Sequence, residues 1–312
     1  MTHLIRIMAI KHHILGAGAI GHLVAGLFHN VGQSVHFIDS ASSQNKQHSA
    51  FCYANKSQRI MIQRLFSAPN SITDGDIIWV CVKSYQLPSA LELIKQCPDN
   101  IQVLLLQNGM GNLELANEML GAAILPTNIF VAANTHGAYL ASDSELPTLH
   151  HTGIGELIIG GNYLSNDGIT RSALIDSLPS SINASWHDKI ESELWLKLGI
   201  NAVINPLTAN YQCKNGELLS NKNLHAQVDS LISELELLYK AIQLPALADA
   251  ISSRCYHVIK TTADNYSSMM RDVQAGRETE IDSITGYLLN QAKECQLTLT
   301  AHQKQYDRLL NI

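Results

Sequence analysis

The chain has 312 residues, of which 46% are hydrophobic and only 15% charged, so it can enclose a core in each of two domains of ordinary size. A formal net charge of −6, without any block of Lys or Arg, gives no electrostatic basis for binding nucleic acid or an anionic membrane. No apolar run reaches the roughly 18 residues that a membrane helix needs. No signal peptide is indicated at the N-terminus, where Met8 is an alternative start.

Cysteines and histidines show no metal-binding pattern. The six Cys include no CxxC pair, which favours reduced thiols in a cytoplasmic protein over disulfides or zinc. The 14 His are scattered and form no HExxH motif. We therefore expect a cytoplasmic protein that needs no metal.

The first half of the chain alternates short apolar runs with helical patterns, which is typical of a doubly wound α/β sheet. The predicted strands are His13–Leu15, Ser34–Ile38, Asp76–Val82, Gln102–Leu106 and Ile129–Ala132. The predicted helices are Ile20–Asn30, Leu87–Gln96 and Leu113–Leu120. Thr148–His151 and Gly155–Ile159 flank a short turn, and we expect them to form an antiparallel hairpin that closes the sheet.

Helical spacing dominates the second half. Apolar residues recur at i, i+3 and i+4 in Glu191–Ile204, Leu224–Ile242, Leu247–Thr262 and Glu280–Cys295. We therefore predict an α/β domain over residues 1–184 and a mainly α-helical C-terminal domain over residues 185–312, with Pro179–Ala184 as the hinge between them.

A glycine-rich loop follows the first predicted strand. The segment Gly16–Ala17–Gly18–Ala19–Ile20–Gly21 matches GxGxxG and opens an amphipathic helix. Its glycines permit a tight turn and close approach to a pyrophosphate, and the helix N-terminus attracts the phosphates. The strand and helix around the motif favour a Rossmann-type dinucleotide site over a glycine-rich turn without a ligand.

Two further predicted strands end in polar residues. Lys83 follows Asp76–Val82, and Asn108 follows Gln102–Leu106. Ligands bind at the carboxyl ends of the strands in such sheets, so both side chains are candidates to meet one. A solvated Lys and a turn-forming Asn-Gly are the alternatives.

The helical half supplies a polar stripe in an otherwise apolar segment. Lys197, Asn201 and Asn205 recur every four positions and therefore share one helix face. Buried Lys and Asn need partners, and a desolvated Lys can donate a proton near neutral pH. A Lys reaching solvent at a helix edge is the alternative. Pro206 is expected to kink or stop this helix.

Glu280 is the candidate partner for that ammonium. Thr279 and Asp282 have the spacing of a capping box, which predicts that Glu280 opens a helix. The helix dipole favours an ionised carboxylate there. An ordinary acid in a first helical turn is the alternative.

Six segments together resemble the ketopantoate reductase family, over almost the whole chain from Gly16 to about Gly286. They are GAGAIG at 16–21, VKSYQ at 82–86, QNGMG at 107–111, WLKLGINAVINPLTA at 195–209, NGEL at 215–218 and SSMMRDVQAGRETEID at 267–282. The resemblance implies reduction of 2-dehydropantoate to (R)-pantoate with NADPH, on the route to pantothenate and coenzyme A. It also implies an active site in the cleft between the two domains.

By position, the resemblance implies a role for each candidate residue. Lys197 donates the proton and Glu280 supports it from the cofactor side. The substrate is held by Asn201, Asn205, Asn215 and Ser268. Asn108 touches both ligands, while Lys83 and Ala138 lie by the cofactor.

The cofactor and the substrate each leave an alternative open. Family members often carry an Arg at the end of the second strand to meet the 2′-phosphate, where this chain has Ser40 beside Asp39. Asp39 by itself favours NAD. We expect NADP(H), because Ser40 can hydrogen-bond a phosphate and Lys46 or Arg59 can supply charge.

The alternatives for the reaction are reduction of another branched 2-keto acid and a β-hydroxyacid dehydrogenase. The only expected partner is the small-molecule substrate, and both monomer and homodimer are compatible with the sequence.

Overall fold

The computed structural model describes residues 10–38, 49–141, 145–161 and 168–311. The chain divides into two compact units. Unit 1 comprises Met1–Gln107 and Asn112–Ile190, and unit 2 comprises Asn108–Gly111 and Glu191–Ile312. Among the described residues, no helix combines the length and apolarity needed to cross a bilayer.

Unit 1 is built on an eight-stranded sheet with helices along the connections. Its strands and helices are β1 (His12–Leu15), α1 (Ala19–His29), β2 (His36–Ile38), β3 (Ala50–Ala54), β4 (Arg59–Gln63), β5 (Leu65–Ser67), β6 (Ile77–Val80), α2 (Leu87–Ile94), β7 (Gln102–Leu105), α3 (Asn112–Leu120), β8 (Ile129–Asn134), β9 (Gly137–Ala141), β10 (Thr148–Gly153), β11 (Leu157–Gly161), α4 (Gly168–Ser177) and β12 (Ala184–Trp186). The five predicted strands are confirmed as β1, β2, β6, β7 and β8, and the three predicted helices as α1, α2 and α3.

The strand order is β12-β11-β8-β7-β6-β1-β2-β5, with every neighbouring pair parallel except β8 and β11. From β5 to β8 this is the Rossmann order, and the order reverses between β1 and β6. His13 of β1 lies opposite His36 on one side and Ile78 on the other. β1 and β6 are buried throughout, as central parallel strands covered on both faces should be.

The predicted hairpin of Thr148–His151 with Gly155–Ile159 is wrong. β10 pairs with β9 and β3 in a separate four-stranded sheet, of order β4-β3-β10-β9, whereas β11 pairs with β8 and β12 in the large sheet. The chain crosses between the sheets at Gly155, where a Cβ would lie 2.4 Å from the carbonyl carbon of Thr135. Only a residue without a side chain fits so close to another backbone.

Helix α1 contacts strands of both sheets, which explains why eight consecutive residues from Gly21 to Phe28 are buried. Gly26 allows the small sheet to approach, because a Cβ there would overlap the ring of Tyr53 at 2.2 Å. The segment Pro179–Ala184 also packs within unit 1. Its Ile182 is buried, and Ser181 donates a hydrogen bond to the Leu27 carbonyl.

Unit 2 is helical, as predicted for the C-terminal half. Its helices are α5 (Ile190–Tyr211), α6 (Glu217–Ser220), α7 (Lys222–Ala241), α8 (Pro245–Thr261), α9 (Ser268–Gln274), a π-helical turn (Asp282–Gly286), α10 (Tyr287–Glu294) and α11 (Thr300–Leu310). Its core forms around α5, where Ala202, Val203 and Leu207 are fully buried.

Pro206 was expected to kink or stop this helix, and the expectation of a stop is wrong, because α5 continues to Tyr211. A proline removes one backbone hydrogen bond from a helix. Here the helix is held on both sides of the proline by core packing, and the Thr208 hydroxyl donates to the Ile204 carbonyl at 2.8 Å. Burial of the apolar side chains thus outweighs the local preference.

Candidate active site

The glycine loop joins β1 to α1, and two of its glycines are required by backbone contacts. Gly16 has a φ of +115°, and a Cβ there would lie 2.7 Å from the backbone nitrogen of Val82. A Cβ at Gly21 would lie 2.0 Å from the Gly16 carbonyl oxygen. In contrast, a Cβ at Gly18 would meet nothing within 4 Å. The loop therefore packs tightly on its inner side and leaves open space at Gly18, at the start of α1.

The predicted loop residues thus lie where a diphosphate could bind. Ala17 follows Gly16 in the turn, and Ala19 and Ile20 form the first turn of α1. The first amides of a helix have no partners within the helix and carry a positive partial charge. This is the ordinary arrangement of a dinucleotide loop.

Lys83 directly follows Val82, whose backbone nitrogen lies close to Gly16 of this loop. It follows the carboxyl end of β6 at the point where the strand order reverses, and its backbone N–H donates to the side chain of Gln86 at 3.1 Å. Ala138 lies on β9 of the small sheet, opposite His151. Both residues therefore belong to unit 1, and Lys83 has the position of a ligand-binding strand end.

The polar stripe of unit 2 lies on one helix, as predicted. Lys197, Asn201 and Asn205 are all within α5. Asn205 is only 6% exposed, whereas Lys197 and Asn201 are partly exposed. Trp195 and Leu198 on the same helix are buried in the core of unit 2, which fixes the direction of the stripe.

Lys197 is electrostatically coupled to Glu280. Burial lowers the pKa of the Lys197 ammonium to about 8, and the carboxylate of Glu280 offsets part of that shift. A cation of this kind can release a proton near neutral pH and stabilise developing negative charge. Glu280 itself is 5% exposed and directly precedes the helical turn at Ile281.

Asn108 connects to the same carboxylate. Its side-chain amide donates to Oε2 of Glu280 at 3.1 Å. The loop carrying Asn108 is held by the Met110 N–H, which donates to the Ser283 carbonyl at 3.0 Å. Gly109 permits this approach, because a Cβ there would lie 2.3 Å from that carbonyl oxygen. Asn108, Glu280 and Lys197 are therefore brought together within unit 2.

Asn215 lies in a turn of unit 2, and Ser268 lies at the start of helix α9. The Asn215 N–H donates to the Asn265 carbonyl at 3.0 Å, and its side-chain amide donates to the Thr262 hydroxyl at 2.8 Å. The buried Oδ1 of Asn215 accepts no hydrogen bond within the described chain. Ser268 is exposed at the first position of α9. These groups can accept or donate to a bound ligand.

Some predicted residues cannot be placed. Asp39, Ser40 and Lys46, and Met8 at the N-terminus, lie outside the described residues. Within the part of the chain that is described, no three His, Cys, Asp or Glu side chains lie together as metal ligands, and none of the six cysteines forms a disulfide.

Sequence reasoning missed His22 and Arg64. His22, on the first turn of α1, places Nδ1 2.8 Å from the Gly18 carbonyl oxygen, and its Nε2 contacts the Arg64 guanidinium. The sequence could have identified His22, because a histidine that directly follows GxGxxG falls at a buried position of the helix. Nothing in the sequence pattern marks Arg64, because its contact with His22 spans 42 positions.

Both halves of the chain match models of one family. Residues 12–162 match Ketopantoate reductase PanE/ApbA, and residues 189–311 match its C-terminal domain. The chain is similar to 2-dehydropantoate 2-reductase of Yersinia pestis, with 29% identity over 96% of this chain and 93% of that protein. It is 32% identical to the Shigella flexneri enzyme of the same name, over 72% of this chain and 70% of that protein. A crystal structure of a probable 2-dehydropantoate 2-reductase from Bacillus subtilis is 28% identical, covers 97% of this chain and 99% of its own, and superposes with a TM-score of 0.75.

Proposed function

This chain belongs to the ketopantoate reductase family, and from that premise we propose that it reduces 2-dehydropantoate to (R)-pantoate with NADPH. The observation that carries the proposal is the set of Lys197, Glu280 and Asn108 in unit 2. Lys197 has a pKa of about 8 and is coupled to a carboxylate that Asn108 holds. A ketone reductase needs a proton donor of this kind.

In this proposal Lys197 acts on the ketone oxygen. Its ammonium stabilises the alkoxide that develops as the carbonyl is reduced, and then donates a proton to that oxygen. Bound NADPH would supply the hydride. Glu280 keeps Lys197 charged, because a nearby carboxylate favours the ammonium form.

We assign the remaining polar groups of unit 2 to substrate binding. Asn201 and Asn205 continue the stripe of Lys197 along α5 and can hold the substrate's carboxylate and hydroxyl. Asn215 offers a buried amide oxygen, and Ser268 offers an exposed hydroxyl. Asn108 also contacts substrate and cofactor in this assignment.

We assign the dinucleotide to unit 1. The loop Gly16–Gly21 binds the pyrophosphate at the start of α1, and Lys83 and Ala138 lie along the nicotinamide half. Hydride transfer requires the reacting carbons within van der Waals distance. We therefore propose that catalysis requires both sets of residues, those of unit 1 for the dinucleotide and those of unit 2 for the substrate.

The test is NADPH oxidation by the purified protein with 2-dehydropantoate, compared with 2-ketoisovalerate and pyruvate. Turnover with 2-dehydropantoate far above the other two is the expected result. The variant Lys197→Met should lose about 10²- to 10⁴-fold in kcat while still binding NADPH. Activity restricted to another keto acid would contradict the substrate assignment, and full activity of Lys197→Met would contradict the mechanism.

A further inference from the structure

Arg64 is a half-buried cation that lies beside the glycine loop. It falls between β4 and β5, and its backbone N–H donates to the Ser49 carbonyl at 2.8 Å. Its guanidinium contacts Nε2 of His22 and lies 5.8 Å from the centre of the Phe37 ring. The side chain therefore reaches from the sheet edge to the first turn of α1.

The contacts of His22 fix how this cation is held. A guanidinium can only donate, so Nε2 of His22 must accept the hydrogen bond from Arg64. The proton of the neutral ring is then on Nδ1, which donates to the Gly18 carbonyl at 2.8 Å. Burial and the charge of Arg64 lower the pKa of His22 to about 4, which keeps the ring neutral. Arg64 is thus connected to the glycine loop through one imidazole.

The position of Phe37 relates Arg64 to the nucleotide. Phe37 is in β2, one residue before the strand ends at Ile38. In a Rossmann unit the carboxyl end of the second strand lies at the adenosine ribose, and NADP enzymes place an Arg there to meet the 2′-phosphate. Arg64 brings a guanidinium to this region from another part of the chain.

We propose that Arg64 is the residue that selects NADP(H) by binding the 2′-phosphate of its adenosine. The proposal rests on the proposed function only in taking the glycine loop as a nicotinamide dinucleotide site. A guanidinium suits this role, because it forms two parallel hydrogen bonds to a phosphate and stays charged at every working pH.

Arg59, which the sequence analysis offered as a source of charge for this phosphate, is held differently. It starts β4, is exposed, and its Nε donates to the Cys52 sulfur at 3.2 Å. Among the described residues, its guanidinium has no hydrogen bond to α1. Arg59 is therefore the matched comparison for Arg64.

The experiment measures binding without turnover, by calorimetry with 2′,5′-ADP and with 5′-AMP. The wild-type protein should bind 2′,5′-ADP at least about 10-fold more tightly, since a charge-assisted hydrogen bond contributes about that factor. Arg64→Met should lose about 10- to 100-fold in affinity for 2′,5′-ADP and keep its affinity for 5′-AMP. Arg59→Met should keep the preference of the wild type.

Three results would overturn the proposal: no 2′,5′-ADP preference in the wild type, equal weakening of both ligands in Arg64→Met, or loss of preference in Arg59→Met instead. Equal weakening would mean that Arg64 only braces the loop through His22. If Arg64→Met does not fold, Arg64→Lys is measured instead, and the wild-type preference for 2′,5′-ADP over 5′-AMP still tests the proposal. Loss of reductase activity with selective binding intact would contradict the proposed reaction and leave this inference standing.

Discussion

Replacing Glu280 with Gln removes the negative charge beside Lys197 while nearly preserving the shape of the site. The amide oxygen of Gln can still accept the hydrogen bond that Asn108 donates to Oε2 at 3.1 Å. Glu280 is buried, so a residue of equal size is needed to avoid a cavity. The change therefore isolates the electrostatic effect of the carboxylate on the ammonium.

The magnitude follows from the two causes that set the pKa of Lys197. Burial lowers it and the Glu280 carboxylate raises it, with a net value of about 8. A nearby opposite charge typically shifts a pKa by about 1–3 units. The pKa of Lys197 in Glu280→Gln should therefore lie about 1–3 units below that of the wild type. Each unit corresponds to about 1.4 kcal/mol of lost stabilisation of the ammonium form.

The assay is kcat/KM for 2-dehydropantoate as a function of pH, which reports the pKa values of the free enzyme. Because Lys197 must be protonated to act in the proposed mechanism, wild-type kcat/KM should fall above about pH 8. In Glu280→Gln the same fall should begin at lower pH. Glu278→Gln, which changes an exposed carboxylate two residues away, should leave the profile unchanged. A Glu280→Gln profile that falls at the same or at higher pH would refute the pairing.

Three further predictions concern the framework of the site. Gly21→Ala should lower the unfolding free energy by about 2 kcal/mol or more in a urea titration, because its Cβ would lie 2.0 Å from the Gly16 carbonyl oxygen. Gly18→Ala, whose Cβ meets nothing within 4 Å, should fold normally and bind 5′-AMP more weakly. Equal stabilities of the two variants would contradict this. Burial lowers the pKa values of His12 and His22 from 6.5 to about 4. The folding stability that is fully present above pH 6.5 should therefore be lost as the pH falls towards 4, by about 3 kcal/mol for each histidine. A stability that does not change with pH over that range would refute the claim. Tyr239→Phe should lower the unfolding free energy by about 1–2 kcal/mol, measured by thermal or urea unfolding, because the buried Trp195 carbonyl loses the hydroxyl that donates to it at 2.6 Å. An unchanged stability would mean that this carbonyl accepts a hydrogen bond from another donor.

Much of the candidate site could be predicted from the sequence because its residues are close together along the chain. Gly16 to Gly21 form one turn, and Lys197, Asn201 and Asn205 share one face of α5 through helix periodicity alone. Glu280 was a candidate partner of Lys197 because of its place at a predicted helix start, and the family resemblance implied the pairing, since no local pattern connects positions so far apart. The tertiary structure adds the reason for it, which is that burial and a carboxylate set the pKa of one ammonium.

The predictions that failed were decided by contacts distant in sequence. Thr148–His151 and Gly155–Ile159 have the spacing of a hairpin, but β10 and β11 find better partners in different sheets. Pro206 has the local preference to end a helix, but core packing continues α5 to Tyr211. In both places the free energy of burying apolar surface exceeds the local preference.

Periodicity and motif spacing alone therefore specify the α/β half, the helical half, the glycine loop and the polar face of α5. The second sheet over α1, the contact of Asn108 with Glu280, and the Arg64–His22–Gly18 connection exist only in the folded chain. Local rules reach about one helical turn or two strand residues. The contact of Arg64 with His22 joins positions 42 residues apart, and that of Asn108 with Glu280 joins positions 172 apart. At such separations only the packing of the whole unit decides which side chains meet.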